Sequence, residues 1–135
     1  MRKSNEQQAP FKADRMELLE GPNVQGHVIQ YSDRHHLLII DGVLVACTPI
    51  EYLLLMLIFQ RAEGYVPSAC LVQRALQSSL NRNTRRTLTQ HMSRVRAKLW
   101  PFGLDLFCIT GYGYMLLSTR GEQAEHERET NGTPG

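Results

Sequence analysis

Between Gly64 and Leu104 the chain contains no aspartate or glutamate, although the whole sequence carries 13 of them. Such a stretch is unlike an ordinary solvated surface, where charges of both signs are interspersed and pair locally. Cysteine is scarce as well. Cys47, Cys70 and Cys108 are odd in number, lack metal-ligand spacing and sit among apolar neighbours, so they read as reduced core thiols. Long apolar runs are missing: the longest, Tyr52–Phe59, falls far short of the roughly 20 residues needed to span a bilayer, and no charged segment leads into an apolar one near Met1. A soluble, cytoplasmic protein is expected. Catalytic pairing is absent too. Asp33, Asp41, Glu51 and Glu63 form no recognisable acid–base pair, and no Ser-His or Cys-His arrangement occurs, so neither an enzyme nor a cofactor site is expected. His35 and His36 would point to opposite faces of a strand, with no third ligand at a suitable spacing, which argues against a metal.

What the acid-free stretch does contain is Arg74, Arg82, Arg85, Arg86, Arg94, Arg96 and Lys98. In a chain whose formal net charge is only +2, that segregation marks one surface as the seat of a polyanion partner. Residues 1 to 26 balance four cations against four acids, residues 27 to 120 carry ten against five, and residues 121 to 135 carry one against four. At 135 residues and 42% hydrophobic content, one core is expected. The expected organisation is a partly disordered arm over 1–26, a folded domain over 27–120 and an acidic, disordered tail over 121–135.

Three short β-prone runs open the folded part: His27–Ser32, Leu37–Ile40 and Val43–Cys47. The last two flank Asp41-Gly42, whose tolerance of positive φ suits a type I′ hairpin turn. Thr48-Pro49-Ile50-Glu51 then reads as a capping box with proline at the first helical position. The apolar run that follows predicts a helix buried on most sides, ended by Gly64 in a left-handed C′ position. A second, shorter helix is expected from Ser68 as N-cap through Leu76, and Gln77–Asn83 reads as a loop.

The stretch Thr84–Trp100 predicts a third helix. Leu88, Met92, Val95 and Leu99 recur at +4, +3 and +4 and fall on one side of it. The opposite side presents Arg86, Thr89, Gln90, Ser93, Arg94 and Ala97, with Arg96 at its flank. Cations there can meet phosphates, the Gln90 amide can pair with an adenine edge, and small residues permit close approach in a major groove. Arg85 and Lys98 extend the same basic surface. Beyond the helix, Asp105–Thr110 and Tyr114–Ser118 are apolar and aromatic runs joined by Gly111-Tyr112-Gly113, a hairpin whose tip can approach a ligand backbone. Trp100 reads as a packing residue and Tyr112 as a tip residue.

Thr48–Leu55, Arg86-Thr87-Leu88 with His91–Leu99, and Ile109–Tyr114 together resemble the OmpR/PhoB-type DNA-binding domain over about residues 27 to 118. The resemblance implies an α+β winged helix-turn-helix: an N-terminal antiparallel sheet, three helices and a C-terminal β-hairpin wing. It implies sequence-specific transcriptional regulation on double-stranded DNA, with the helix over about 84–100 in the major groove and the wing over about 105–118 near the adjacent minor groove. By the same resemblance, the loop 77–83 faces RNA polymerase; a homodimer on repeated half-sites is a further expectation. Arg86, Arg94 and Arg96 match helix cations that the family uses on DNA, and His91 matches a phosphate-side histidine. Thr89 stands where the family often has an acid, Ser93 where it is often basic, and Thr110 where it usually has an arginine. These departures leave room for an alternative, a winged-helix module that binds a protein partner and no longer reads DNA. Relatives usually carry a receiver of a hundred or more residues ahead of this domain; only about 26 residues precede the first expected strand, so phosphorelay control is not expected within this chain.

Overall fold

Residues 17–61 and 64–119 are described by the computed structural model. Four short strands form an antiparallel meander: β1 (Leu19–Glu20), β2 (Ile29–Ser32), β3 (Leu37–Ile40) and β4 (Val43–Val45). The β3–β4 turn is the expected one, with Asp41 and Gly42 both at positive φ, 52° and 80°, and Ile40 paired with Val43. Asp41 also ties that turn to the start of β2. Its carboxylate accepts the Val28 N–H at 2.9 Å and lies 2.5 Å from Nδ1 of the buried His27.

Two expectations are corrected in this sheet. Leu19 and Glu20 pair with Tyr31 and Gln30, and Val24 is fully buried, so folded structure begins inside the stretch expected as an arm. Pairing to a distant edge organised residues whose local composition is polar. His35 and His36 lie in the β2–β3 turn and not on a strand; His36 has φ 53°, and its ring sits 5.3 Å from that of Tyr52. Residues 1–16 and the expected acidic tail lie outside the described residues.

The capping box forms as expected at α1 (Pro49–Phe59). Thr48 Oγ1 accepts the Glu51 N–H at 3.2 Å, and Glu51 accepts the Thr48 N–H at 3.0 Å. Tyr52, Leu54, Leu55, Ile58 and Phe59 are buried, which makes α1 the centre of the core. The helix closes at Gln60 in the right-handed region, so Gly64 is not its C′ residue. After it comes a short strand the sequence did not announce, β5 (Tyr65–Pro67).

Next, α2 (Ser68–Leu71) runs into a π-helical turn, Val72–Leu76, closed by Gln77 at φ 54°. Ser68 is the first helical residue and not the cap. Its N–H donates to the Tyr112 carbonyl at 2.8 Å, because β5 pairs with the C-terminal hairpin and so dictates where the helix starts. The longest helix, α3 (Arg82–Leu99), starts two residues earlier than expected. Asn81 caps it: Asn81 Oδ1 accepts the Thr84 N–H at 3.0 Å, and Thr84 Oγ1 accepts the Asn81 N–H at 2.8 Å. A threonine thus returns the bond that Glu or Gln usually returns.

Leu88, Met92, Val95 and Leu99 bury the inner side of α3 as the spacing predicted. A 3₁₀ turn at Trp100–Phe102 leads to β6 (Leu104–Ile109) and β7 (Gly113–Ser118). The wing is therefore a three-stranded sheet in the order β5-β7-β6. The architecture is the expected α+β winged helix-turn-helix.

Candidate nucleic-acid interface

An 18-residue helix with one apolar side leaves its other side to solvent. Arg86, Gln90, Ser93, Arg94 and Ala97 occupy that outer face of α3 and are exposed. Arg85 and Thr89 lie beside them, toward the wing. No acid stands in the first turn, so the positive end of the helix dipole is uncompensated there. Among the described residues, Arg82, Arg85, Arg86 and Arg94 have no carboxylate partner. The Thr87 and Thr89 hydroxyls donate to the carbonyls of Asn83 and Arg85 at 3.1 and 3.0 Å.

The wing tip is built on Thr110-Gly111-Tyr112. Gly111 has φ 83°, and the Tyr112 N–H donates to the Ile109 carbonyl at 2.9 Å, the bond that closes a β-turn needing positive φ at its third position. Thr110 is exposed and Tyr112 is 65% exposed, so both are presented outward. Gly113 has a different task from the tip role expected of it. A Cβ there would lie 2.0 Å from the Val66 carbonyl oxygen, so glycine is needed for β5 to approach β7. Between α3 and the wing runs a groove of about 240 Å³, lined by Thr89, Ser93 and Arg96 on one side and by Leu106, Cys108 and Tyr114 on the other.

No protein-family model matches the chain, and neither does any curated protein. Solved structures do. The DNA-binding domain of CpxR from E. coli superposes with a TM-score of 0.58 at 22% identity, covering 76% of this chain and 98% of that one. The Klebsiella pneumoniae RstA DNA-binding domain, solved in complex with the RstA box, gives 0.57 at 13% identity, with 76% and 98% covered. The AdeR response-regulator DNA-binding domain, in complex with an intercistronic region, gives 0.54 at 24%, with 65% and 90% covered. The fold is a winged helix, shared with these DNA-binding domains.

Within this winged-helix fold, three of the expected site residues stand apart from the outer face. Lys98 turns toward α1, where its Nζ lies 3.5 Å from Oε1 of Glu51, whose side chain is only 3% exposed. It neutralises the buried carboxylate that caps α1, so the structure removes it from the exposed basic surface. Arg96 projects toward β6 and forms a two-pronged ion pair with Asp105, Nε to Oδ1 at 2.5 Å and Nη2 to Oδ2 at 3.1 Å. Those hydrogen bonds raise the Arg96 pKa further above its already high value. His91 is half-buried on the flank away from the wing; its enclosed Nδ1 has no hydrogen-bond partner among the described residues.

The thiols also divide. Burial pushes Cys47 up to about 11, in keeping with a core thiol, whereas Cys108 is exposed on the wing beside Tyr114. Burial likewise raises Tyr114. Trp100, expected to pack, is 54% exposed. Sequence reasoning missed Asp105 as the partner of Arg96 and Glu51 as the partner of Lys98. The first had one signal, since Asp105 is the acid that ends the acid-free stretch; the second had none, because Glu51 already had a role as a cap. Also missed was Tyr52, whose buried ring sends its hydroxyl to Asp33 Oδ1 at 2.6 Å.

Proposed function

We propose that this chain is a sequence-specific, double-stranded DNA-binding transcriptional regulator, with α3 in the major groove and the wing against the adjacent minor groove. The observation that carries the reading is the outer face of α3: exposed cations without acidic partners, one amide and small residues on a helix long enough to lie along a groove. Arg85, Arg86 and Arg94 meet phosphates. Gln90, near the middle of that face, reads a base edge, while Ser93 and Ala97 allow the close approach. Thr89 lines the wing side of this contact, and Thr110 and Tyr112 bring the wing tip to the sugar–phosphate backbone. The DNA complexes of AdeR and RstA support the reading at the level of fold. In the same reading, two copies occupy repeated half-sites and the segment 77–83, whose last two residues open α3, offers a surface to RNA polymerase.

A gel-shift titration at two salt concentrations, followed by selection of bound duplexes from a randomised library, tests it. Affinity that falls steeply with salt, together with enrichment of a defined site, supports the proposal. Salt-independent or absent binding overturns it in favour of a module that docks a protein partner. The internal pairing of Arg96 and Lys98 and the uncharged Thr110 are what favour that second reading.

A further inference from the structure

Asp105 is the first acid after the acid-free stretch, and it folds back onto it. Its two carboxylate oxygens bond Arg96 at 2.5 and 3.1 Å, and Oδ1 also accepts the Leu106 N–H at 2.8 Å. The β6 backbone therefore sets the orientation of the carboxylate, and the carboxylate sets that of the guanidinium. The Asp105 side chain is 20% exposed and that of Arg96 58%, so the pair lies at the surface between recognition helix and wing. Arg94, two residues away on the outer face, has no such partner among the described residues.

A cation that already faces a carboxylate brings almost no net charge to a polyanion. It displaces no counterion when DNA arrives, and any phosphate it attracted would sit close to a fixed negative charge. Two of its five donors are also committed to that carboxylate. Resting on the DNA reading above, we infer that Asp105 is a positioning residue that withholds Arg96 from the phosphate backbone and converts it into a brace between α3 and β6. The carboxylate thereby lowers affinity for duplex of any sequence and leaves discrimination to the outer face. A chain with seven cations and no acid from Gly64 to Leu104 has reason to carry such a restraint, because unselective phosphate binding competes with site recognition.

The test is fluorescence anisotropy of the full chain on a random-sequence duplex over a series of salt concentrations, using wild type, Asp105→Asn, Asp105→Glu, Arg96→Ala and the Asp105→Asn/Arg96→Ala double variant. Asp105→Asn should bind several-fold tighter at low salt and steepen the slope of log affinity against log salt by about 0.9, one further phosphate. Arg96→Ala, which leaves the Asp105 carboxylate unpaired beside the duplex, should bind more weakly than wild type, and the double variant, which removes both charges, should keep the wild-type slope. Asp105→Glu, which keeps the charge, should stay near wild type. If the double variant flattens the slope by about 0.9 relative to wild type, the arginine already holds a phosphate and the inference is overturned; this comparison, with no unpaired charge left at the site, decides the matter even where the single Asp105→Asn variant does not fold. An unchanged slope in a folded Asp105→Asn variant also overturns it. Wild-type protein that binds no duplex overturns the DNA reading itself, and this inference with it.

Discussion

The outer face of α3 and its two flanks carry the same residue types in opposite circumstances. Arg86 and Arg94 stand in solvent without a carboxylate partner among the described residues, whereas Arg96 on one flank is held by Asp105 and Lys98 on the other by Glu51. Four of the six cations on α3 thus do three different things. Those on the outer face are available to an external anion, Arg96 joins helix to wing, and Lys98 offsets a carboxylate buried in the core. What separates them is rotation about the helix axis by roughly 100° per residue, which a linear charge count does not register. The useful quantity for a polyanion partner is therefore the number of unpaired cations on one face, and it is smaller than the sequence total.

The comparison breaks most visibly at Lys98. Lys98→Ala leaves the Glu51 carboxylate buried with only the Thr48 N–H, and should cost about 2 kcal/mol of stability in chemical denaturation, less than a fully buried pair because Lys98 is partly exposed. Its DNA salt slope should stay unchanged. A stable variant with a flatter slope would return Lys98 to the interface. Arg94→Ala is the counterpart. It should flatten the slope by about 0.9 and leave the unfolding midpoint where it was.

A sharper cut runs within the outer face. Gln90→Ala should cost about 1 to 3 kcal/mol on the selected site and flatten preference at one base pair, with non-specific affinity nearly intact. Equal weakening on every sequence would assign Gln90 to the backbone. Thr48→Ala, behind the interface, should lower stability by about 1 kcal/mol and leave affinity unchanged while the protein stays folded. The smallest effect is a rate. Cys108 should react with a thiol reagent before Cys47, whose thiol burial holds mostly protonated, and bound DNA should shield Cys108 if the wing lies against the duplex. Labelling of Cys108 that is indifferent to DNA would move the wing off the interface.

Much of the fold was legible because its signals are local. The Asp41-Gly42 turn, the Thr48–Glu51 box and the Leu88, Met92, Val95, Leu99 stripe each lie within a few residues, and each appears in the structure as the spacing predicted. Boundaries were legible only where the cap has a familiar form. Asn81 with Thr84 is a reciprocal cap with an unusual second member, and the helix start was accordingly read too late. Strand β5 was missed because three residues, Tyr65–Pro67, carry no period; it exists only because β7 offers it an edge. The exposed outer face follows from periodicity, while the carboxylates that meet Arg96 and Lys98 and the partial burial of His91 do not.

The sequence by itself determined the elements, their order, the buried side of α3 and the sign of the surface opposite, since hydrogen bonds and side-chain spacing within a turn or two decide all of these. Tertiary structure alone decided which cations remain available and which glycine serves packing. Arg96 meets Asp105 across 9 residues from helix to strand, His27 meets Asp41 across 14 from one side of a sheet to a turn, and Gly113 is needed because the backbone of β5 passes where a Cβ would stand. Such contacts join segments whose distance in space is independent of their separation in sequence. Only the packed core that brings the segments together sets which charges cancel.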